Sequence, residues 1–424
     1  MSSCNFPLQL TCDSGHCANI LKRCNEETDC KDASDEEQCN VVIVPSNYDK
    51  SSHPKNIDGV SQPNAIFTQV KIIHVDSLDT VNMEVELTVE FSFRWKDFKL
   101  TYLNLMDHNQ TITGRRNLKN IPNEERANIW TPLPELIHDN AIVGETKTVN
   151  FYKMSVEVGN DPLPLDIHVS KENLIYPGKD NMLKIQQRMK LKYRCDFILV
   201  YFPFDDSTCD FYLSILTNGN NSIKLSEDAN PIVYEGPRVL NEFQIEELQT
   251  RTTHSDTNTT LIFSVRFKRL YLQHLLTTFF QSFLLWVLAY VTLFIDEKDF
   301  SNRFMGAVTS LLVLAALLSS IENVLPKTAY FKFVDLWFNW FIVNIFLIIL
   351  MHVLIDHYIN VVESAKHGEL SHDCLKELLK IEVWKKETRK GSKINRSCKR
   401  IIPFINILFI VTYFSFSTWS LFNA

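Results

Sequence analysis

Hydrophobic and polar positions follow two regimes along the chain. Up to about residue 265 they alternate or cluster over short stretches. Beyond it they merge into four long apolar runs, at roughly 272–295, 304–321, 334–355 and 401–421. Each approaches the roughly 20 residues that a bilayer-spanning helix needs. Four buried helices of a soluble domain would be shorter and more polar. The segment 356–400 is basic, with Lys385, Lys386, Arg389, Lys390, Lys399 and Arg400, so the positive-inside bias assigns it to the cytoplasm. Four crossings then leave the N- and C-termini outside. Within that segment Leu375–Trp384 has the pattern of an amphipathic helix leading to the fourth run.

The second run differs from the others. In RFMGAVTSLLVLAALLSSIEN, Met305, Thr309, Leu312, Ala316, Ser319 and Asn323 recur in steps of four and three, so they share one helical face, with Asn302 near its start. That face mixes small, hydroxyl and apolar side chains, while the others carry Leu, Val and Ala. It suits a water-filled axis ringed by copies of the same helix, with Leu312 as a dewetting constriction. The alternative is an interior bundle helix whose small residues allow close packing.

The first regime predicts strands. Ile66–Val75 and Met83–Trp95 alternate apolar and polar residues, and Cys195–Val200, Asn241–Leu248 and Leu261–Phe267 do likewise. Turn clusters such as Asp107-His-Asn, Pro177-Gly and Asn218-Gly-Asn separate them. About two hundred residues of short strands predict a β-sandwich over 66–269. Residues 41–65, rich in Pro, Ser and Asn, read as a linker or short helix.

Composition changes this picture in two ways. Charged residues make up 22% and the net charge is −7, which gives no basic footprint for nucleic acid. Six of the ten cysteines fall in the first 39 residues, a density that belongs to an oxidising compartment and to a segment too short to bury its own core. Asn109, Asn220 and Asn258 each open an Asn-x-Ser/Thr acceptor. Cys374 and Cys398 lie in the basic segment and are expected as free thiols. Between Cys24 and Cys39 carboxylates crowd a stapled loop; they repel unless a hard cation sits among them, and Ca²⁺ takes six to eight oxygens.

The run Cys30-Lys-Asp-Ala-Ser-Asp-Glu-Glu-Gln-Cys39 closely resembles a low-density lipoprotein receptor class A module. The resemblance implies a module over 1–40 with disulfides Cys4–Cys17, Cys12–Cys30 and Cys24–Cys39. It also implies Ca²⁺ ligation by the side chains of Asn25, Asp29, Asp35 and Glu36 and the carbonyls of Lys22 and Glu27. Asn25 departs from the family's usual Asp, which should weaken the site. Such modules bind extracellular proteins through an acidic face.

The remainder resembles the Cys-loop receptors, pentameric ligand-gated ion channels, most like invertebrate members. The marks are Cys195 and Cys209 enclosing Phe202-Pro203-Phe204-Asp205, Trp95-Lys-Asp97, Trp130-Thr-Pro132, Arg266 before Tyr271, Leu325-Pro326-Lys327, and Val334-Asp-Leu-Trp337. The resemblance implies a multidomain membrane protein: an all-β extracellular sandwich, transmembrane helices one to three over 270–355, a cytoplasmic segment over 356–400 and a fourth helix over 401–424. It implies the plasma membrane and four further subunits around a shared pore. The Cys195–Cys209 loop would rest near the connection carrying Pro326 and Lys327, and Asp205 and Arg266 are candidates for an ion pair at that joint. An apolar apex such as Phe202-Pro203-Phe204 is a liability in water but becomes a contact against a helix bundle.

The resemblance also places a ligand between neighbouring sandwiches in an aromatic cage. Here the usual aromatics are replaced by Leu216 and Glu90, and the hairpin tip 250–260 has no Tyr or Phe. The residues gathered around the expected cleft are Glu90, His138, Asp139, Arg188, Leu216 and His254. An acidic, His-bearing cleft suits protons or a metal such as Zn²⁺; the alternative is solvated loop residues. At the inner mouth Ser301-Asn302 replaces the glutamate of cation-selective members, and Arg303 then governs, which leans to chloride. Asp299, Glu297 and Glu322 weigh towards cations. A second function class is a membrane-anchored cargo or adhesion receptor using the class A module. No nucleophile elbow, phosphate loop or His-Glu-x-x-His pattern supports an enzyme.

Overall fold

The structure is a computed structural model of the chain, described over residues 4, 9–19, 22, 27–37, 39–54, 64–103, 105, 118–142, 147–157, 159, 175–216, 223–255, 258–367 and 374–423. The N-terminal module carries a short hairpin, β1 (Gln9–Thr11) and β2 (Cys17–Asn19). Its core is Leu10, Cys12 and Cys30, with Ala18 against them. Cys4–Cys17 and Cys12–Cys30 form disulfides, and Cys39 is also disulfide-bonded. Cys24 and Asn25 lie outside the described residues.

The segment after the module is not a free linker, as its composition suggested. β3 (Val42–Ile43) pairs with β6 (Thr101–Leu103), which also pairs with β10 (Ile175–Pro177). The Glu125 carboxylate of the one-turn helix α1 (Asn123–Arg126) accepts the backbone N–H of Val41 and of Val42, at 2.9 and 2.8 Å. Tyr48 donates its hydroxyl to Asp97 at 2.7 Å. Burial raises the Asp97 pKa. Gly178 stands where a Cβ would lie 2.0 Å from the Asp97 carbonyl oxygen, so only glycine lets the turn close over that residue.

The sandwich is built from two sheets. The larger has the order β13-β4-β5-β11-β9-β7, from β4 (Asn64–Asp79), β5 (Glu84–Lys96), β7 (Leu118–Asn120), β9 (Lys147–Glu157), β11 (Met182–Arg194) and β13 (Ile223–Tyr234). The smaller has the order β14-β15-β12-β8, from β8 (Leu136–His138), β12 (Asp206–Leu216), β14 (Phe243–His254) and β15 (Asn258–Arg269). Alternation decides the faces. On β5, Val85, Leu87, Val89, Phe91, Phe93 and Trp95 enter the core between the sheets. Glu86, Glu90 and Arg94 take the other face. Cys195–Val200, which reads as a strand, is irregular chain: Cys195, Phe197 and Leu199 pack into the core while Ile198 is exposed, and no ladder forms.

Among the described residues, four helices are long and apolar enough to cross a membrane. The first span, Leu272–Phe294, runs through α2 (Leu272–His274), a π-helical turn (Leu275–Phe279), α3 (Phe280–Val291) and a closing 3₁₀ turn (Thr292–Phe294). The others are α4 (Phe300–Val324), α5 (Phe333–His367) and α6 (Cys374–Asn423). In lipid depth, polar groups find partners inside the bundle. Asn406 of α6 accepts the Trp340 indole N–H and donates to the Asn344 amide oxygen of α5, both at 2.9 Å. Cys398 is a buried free thiol; the side chain of Cys374 lies outside the described set.

Candidate functional site

The α4 helix starts at Asp299, whose side chain accepts the Asn302 N–H as an N-cap. One face of α4 is buried: Arg303, Ala307, Ser310 and Leu314. Gly306 brings α4 close to the first span, since a Cβ there would lie 3.0 Å from the Thr292 methyl. Asn302, Met305, Thr309, Leu312, Ala316, Ser319 and Asn323 all lie on the exposed side. Leu312 is 66% exposed although it sits mid-helix among packed neighbours. The Thr309 hydroxyl donates to the Met305 carbonyl at 2.7 Å, so its proton is satisfied within the helix and its oxygen lines the stripe. Arg303 corrects the sequence expectation for the inner mouth. Its guanidinium is buried away from the stripe, bonded to the Thr292 carbonyl and the Asn395 amide oxygen.

Above the helices, the Cys195–Cys209 disulfide closes a loop whose apex contains a cis Phe202–Pro203 bond. The apex is wedged among the spans. Phe202 meets the His274 ring at 5.0 Å, and Phe204 meets Tyr271 at 5.1 Å and Phe414 of α6 at 6.4 Å. Tyr201 packs on Phe333 at 5.6 Å. Phe333 donates its N–H to the Val200 carbonyl at 2.8 Å, and Leu199 donates to the Tyr330 hydroxyl at 3.3 Å. The joint to the α4–α5 connection, the segment that carries Pro326 and Lys327, runs through Tyr330 and Phe333 among the described residues. Pro326 is buried and Lys327 exposed.

The expected ion pair is also reassigned. Asp205 pairs with Arg269, Nε to Oδ1 at 2.8 Å and Nη2 to Oδ2 at 3.2 Å. Arg269 lies over the rings of Phe202 and Phe243, at 4.9 and 4.4 Å, and both partners are almost fully buried. Arg266 pairs instead with Asp206, a hydrogen bond that raises the guanidinium pKa. Arg269, Tyr330, Phe333 and Phe414 were not singled out from the sequence. The position of Arg269 at the end of β15, three residues before the first span, was the available signal.

The residues expected at a ligand cleft fall on two sheets. Glu90 and Arg188 face each other across β5 and β11, bonded at 2.8 Å on the polar face of the larger sheet. Glu90 is thus neutralised within the chain. His138 points inward: its Nδ1 lies 3.1 Å from the Tyr193 hydroxyl and its ring 5.3 Å from that of Phe91. Burial lowers its pKa to about 4, against the pull of Asp139. Asp139 accepts the Ser214 hydroxyl. Leu216 stands opposite Asn258 at the end of β12. His254 is exposed at the β14–β15 tip, with its Nδ1 3.5 Å from the Thr259 hydroxyl. A single acidic, His-bearing cleft does not form within one chain.

In the module, Cys12, Cys30 and Asp32 lie within 4.8 Å of one another, but the two sulfurs are consumed by their disulfide and do not ligate. Asp35 is fully buried and accepts the Asp29 N–H, and the Lys22 ammonium pairs with the Asp29 carboxylate. Among the described residues the carboxylates of Asp29, Asp35 and Glu36 do not form a close-set group, though each supplies the hard oxygen that Ca²⁺ takes. Of the glycosylation acceptors, Asn258 opens β15 and is half-exposed; Asn109 and Asn220 lie outside the described residues.

The family model for the neurotransmitter-gated ion-channel ligand binding domain matches residues 41–271, more than half of the chain. The chain belongs to the neurotransmitter-gated ion-channel family. A second model, the low-density lipoprotein receptor domain class A, matches residues 2–39. Similar curated proteins include the gamma-aminobutyric acid receptor subunit rho-2 of Bos taurus, 21% identical over 71% of this chain and 60% of that protein. The glutamate-gated chloride channel of Drosophila melanogaster is 22% identical over 74% of this chain and 64% of its own length. The glutamate-gated chloride channel subunit beta of Haemonchus contortus is 24% identical over 69% and 64%. The chain thus spans just over 60% of these relatives. Family members are not enzymes, as the missing catalytic motifs led us to expect, and the four spans make this a multi-pass membrane protein.

Proposed function

We propose that this chain is one subunit of a pentameric ligand-gated ion channel of the plasma membrane, with both termini outside and α4 of each subunit facing a common pore. The observation that carries this is the unbroken exposed stripe from Asn302 to Asn323 on a helix whose opposite face is packed. Five copies of Leu312 set about one axis form a ring that water leaves when it narrows. The Phe202-Pro203-Phe204 wedge supports transmission from sandwich to spans, a coupling between distinct sites.

The ions are anions, chloride in the cell. The names of the fly and nematode relatives support this, as does the absence of any carboxylate on the stripe itself. A cation-selective pore is the competing reading, favoured by Asp299 at the α4 N-cap and Glu322 near its end. The ligand enters between neighbouring copies: one offers Asp139, Leu216 and His254 on the smaller sheet, the other Glu90 and Arg188 on the larger. A proton or Zn²⁺ response rests on His254, since His138 is committed to the core. The class A module holds Ca²⁺ through Asp29, Asp35 and Glu36 and offers a surface to an extracellular protein.

Expression in oocytes under voltage clamp tests the channel reading. Gamma-aminobutyric acid, glutamate, protons and Zn²⁺ are applied in turn, and reversal potentials are compared in normal and low chloride. A current whose reversal follows chloride is expected. Surface-delivered protein that stays silent even with Leu312→Ser would favour a cargo or adhesion receptor.

A further inference from the structure

At the inner end of the bundle, polar side chains from every span meet. Thr292 closes the first span, Arg303 lies in the first turn of α4, His352 belongs to α5 and Asn395 to α6. Arg303 is 1% exposed, and His352 and Asn395 are equally buried. The Asn395 amide oxygen accepts Arg303 Nη2 at 3.2 Å, and its nitrogen donates to the Glu297 carboxylate at 2.8 Å. Arg303 Nε reaches the Thr292 carbonyl at 3.4 Å. The Thr292 hydroxyl spends its proton on the Ala289 carbonyl at 2.6 Å, so at 2.8 Å it accepts from His352 Nε2. His352 is therefore neutral at Nδ1, which has no partner.

Among the described residues, then, Arg303 makes no direct ion pair; the Glu297 and Asp296 carboxylates act on it from further off, Glu297 through the shared Asn395 amide. Both its hydrogen bonds end on neutral groups. Such a charge in a low-dielectric setting projects its field further than one in water. Its distance from the ion path is fixed by whatever holds the guanidinium, and the one side chain that does so is Asn395.

We infer that Asn395 of α6 is a positioning residue for permeation: by anchoring Arg303 off the pore face, it sets the field that ions meet at the inner mouth. Glu297 orients Asn395 in turn, so the turn between the first two spans and α6 act on the pore helix through one amide. This rests on the channel reading above.

The test compares full-length protein carrying Leu312→Ser, alone and combined with Asn395→Leu or Asn395→Asp, reconstituted in planar bilayers. Asn395→Leu should change unitary chloride conductance by roughly fivefold and shift the low-chloride reversal potential, because the freed guanidinium moves by several ångströms relative to the ions. Asn395→Asp still accepts from Arg303 but pairs its charge and loses the N–H given to Glu297, so it should keep the guanidinium in place without restoring the parent conductance. A second measurement needs no current: phenylglyoxal labelling of Arg303, read by mass spectrometry. Arg303 should be protected in the parent and in Asn395→Asp but labelled in Asn395→Leu. Unchanged conductance and continued protection in Asn395→Leu would overturn the inference. Silence in all three proteins combined with the expected labelling would instead remove the channel reading and leave the anchoring in place.

Discussion

Asp205 and Arg269 form a two-point ion pair at the junction of sandwich and membrane helices, buried between the rings of Phe202 and Phe243. Arg269 also donates its backbone N–H to the Asp205 carbonyl at 3.1 Å, so main chain and side chain hold the same contact. Removing Arg269 strands the buried Asp205 carboxylate, and removing Asp205 leaves Arg269 only the exposed Glu242 carboxylate at 3.4 Å. Asp205→Asn or Arg269→Gln should each destabilise the protein by about 3–5 kcal/mol. Arg266→Gln, whose pair with Asp206 is 32% and 26% exposed, should cost under about 1 kcal/mol. Thermal unfolding of the purified protein followed by tryptophan fluorescence separates the two. Equal losses would mean that the two pairs are equally buried.

In the proposed pentamer, replacing Leu312 with Thr or Ser puts a hydroxyl on the ring that five copies of this residue form. Water then enters more easily, and the channel should open at lower ligand concentration or spontaneously. Val313, one position round the helix, serves as the control. Patch-clamp records in which Leu312→Ser and Val313→Ser behave alike would take the gate away from Leu312.

His138 gives the sandwich a pH dependence of known sign. Its pKa falls to about 4 in the fold because the ring is buried, against about 6.5 for an unfolded histidine. Between those values the unfolded chain binds a proton that the folded one does not, so stability rises with pH. The contribution is fully present above pH 6.5 and is lost as pH drops towards 4, reaching about 3 kcal/mol. His138→Phe keeps the ring beside Phe91 and should flatten this part of the profile. Urea midpoints between pH 7 and 4 that fall equally in both proteins would assign the slope to other groups.

Asn406 ties α5 to α6 through Trp340 and Asn344. Such bonds in membranes are worth about 1–2 kcal/mol at most, since lipid-separated helices find other partners. Asn406→Leu should therefore leave the fold intact and lower the detergent unfolding temperature slightly. Complete loss of folded protein would show the ladder to be a larger contributor than this.

The spans were readable from the sequence because apolar length alone specifies a membrane helix. The α4 stripe was readable too, because 3.6-residue periodicity fixes a face without any knowledge of neighbours. Pairings across strands were not. Asp205 and Asp206 are adjacent, and two arginines lie three residues apart on β15. Which carboxylate meets which arginine depends on a register that puts Asp206 opposite Lys268 and Thr208 opposite Arg266. The same register turned Glu90 and Arg188 from two cleft candidates into partners. His138 reads as polar, yet the inward face of β8 and the Tyr193 hydroxyl make it a core residue. Arg303 reads as a mouth residue because the resemblance leaves it there once Ser301-Asn302 replaces a glutamate; a single residue on a helix is a turn of about 100°, enough to send it into the bundle.

The grip of Glu125 on the amides of Val41 and Val42 begins two residues after Cys39, the last cysteine of the stapled module. Only Asn40 lies between them. A leash that short has no slack, so a pull on the module from a matrix or a neighbouring cell would be felt at once by the short helix carrying Glu125. The same brevity denies the module the independent tumbling of a bead on a string.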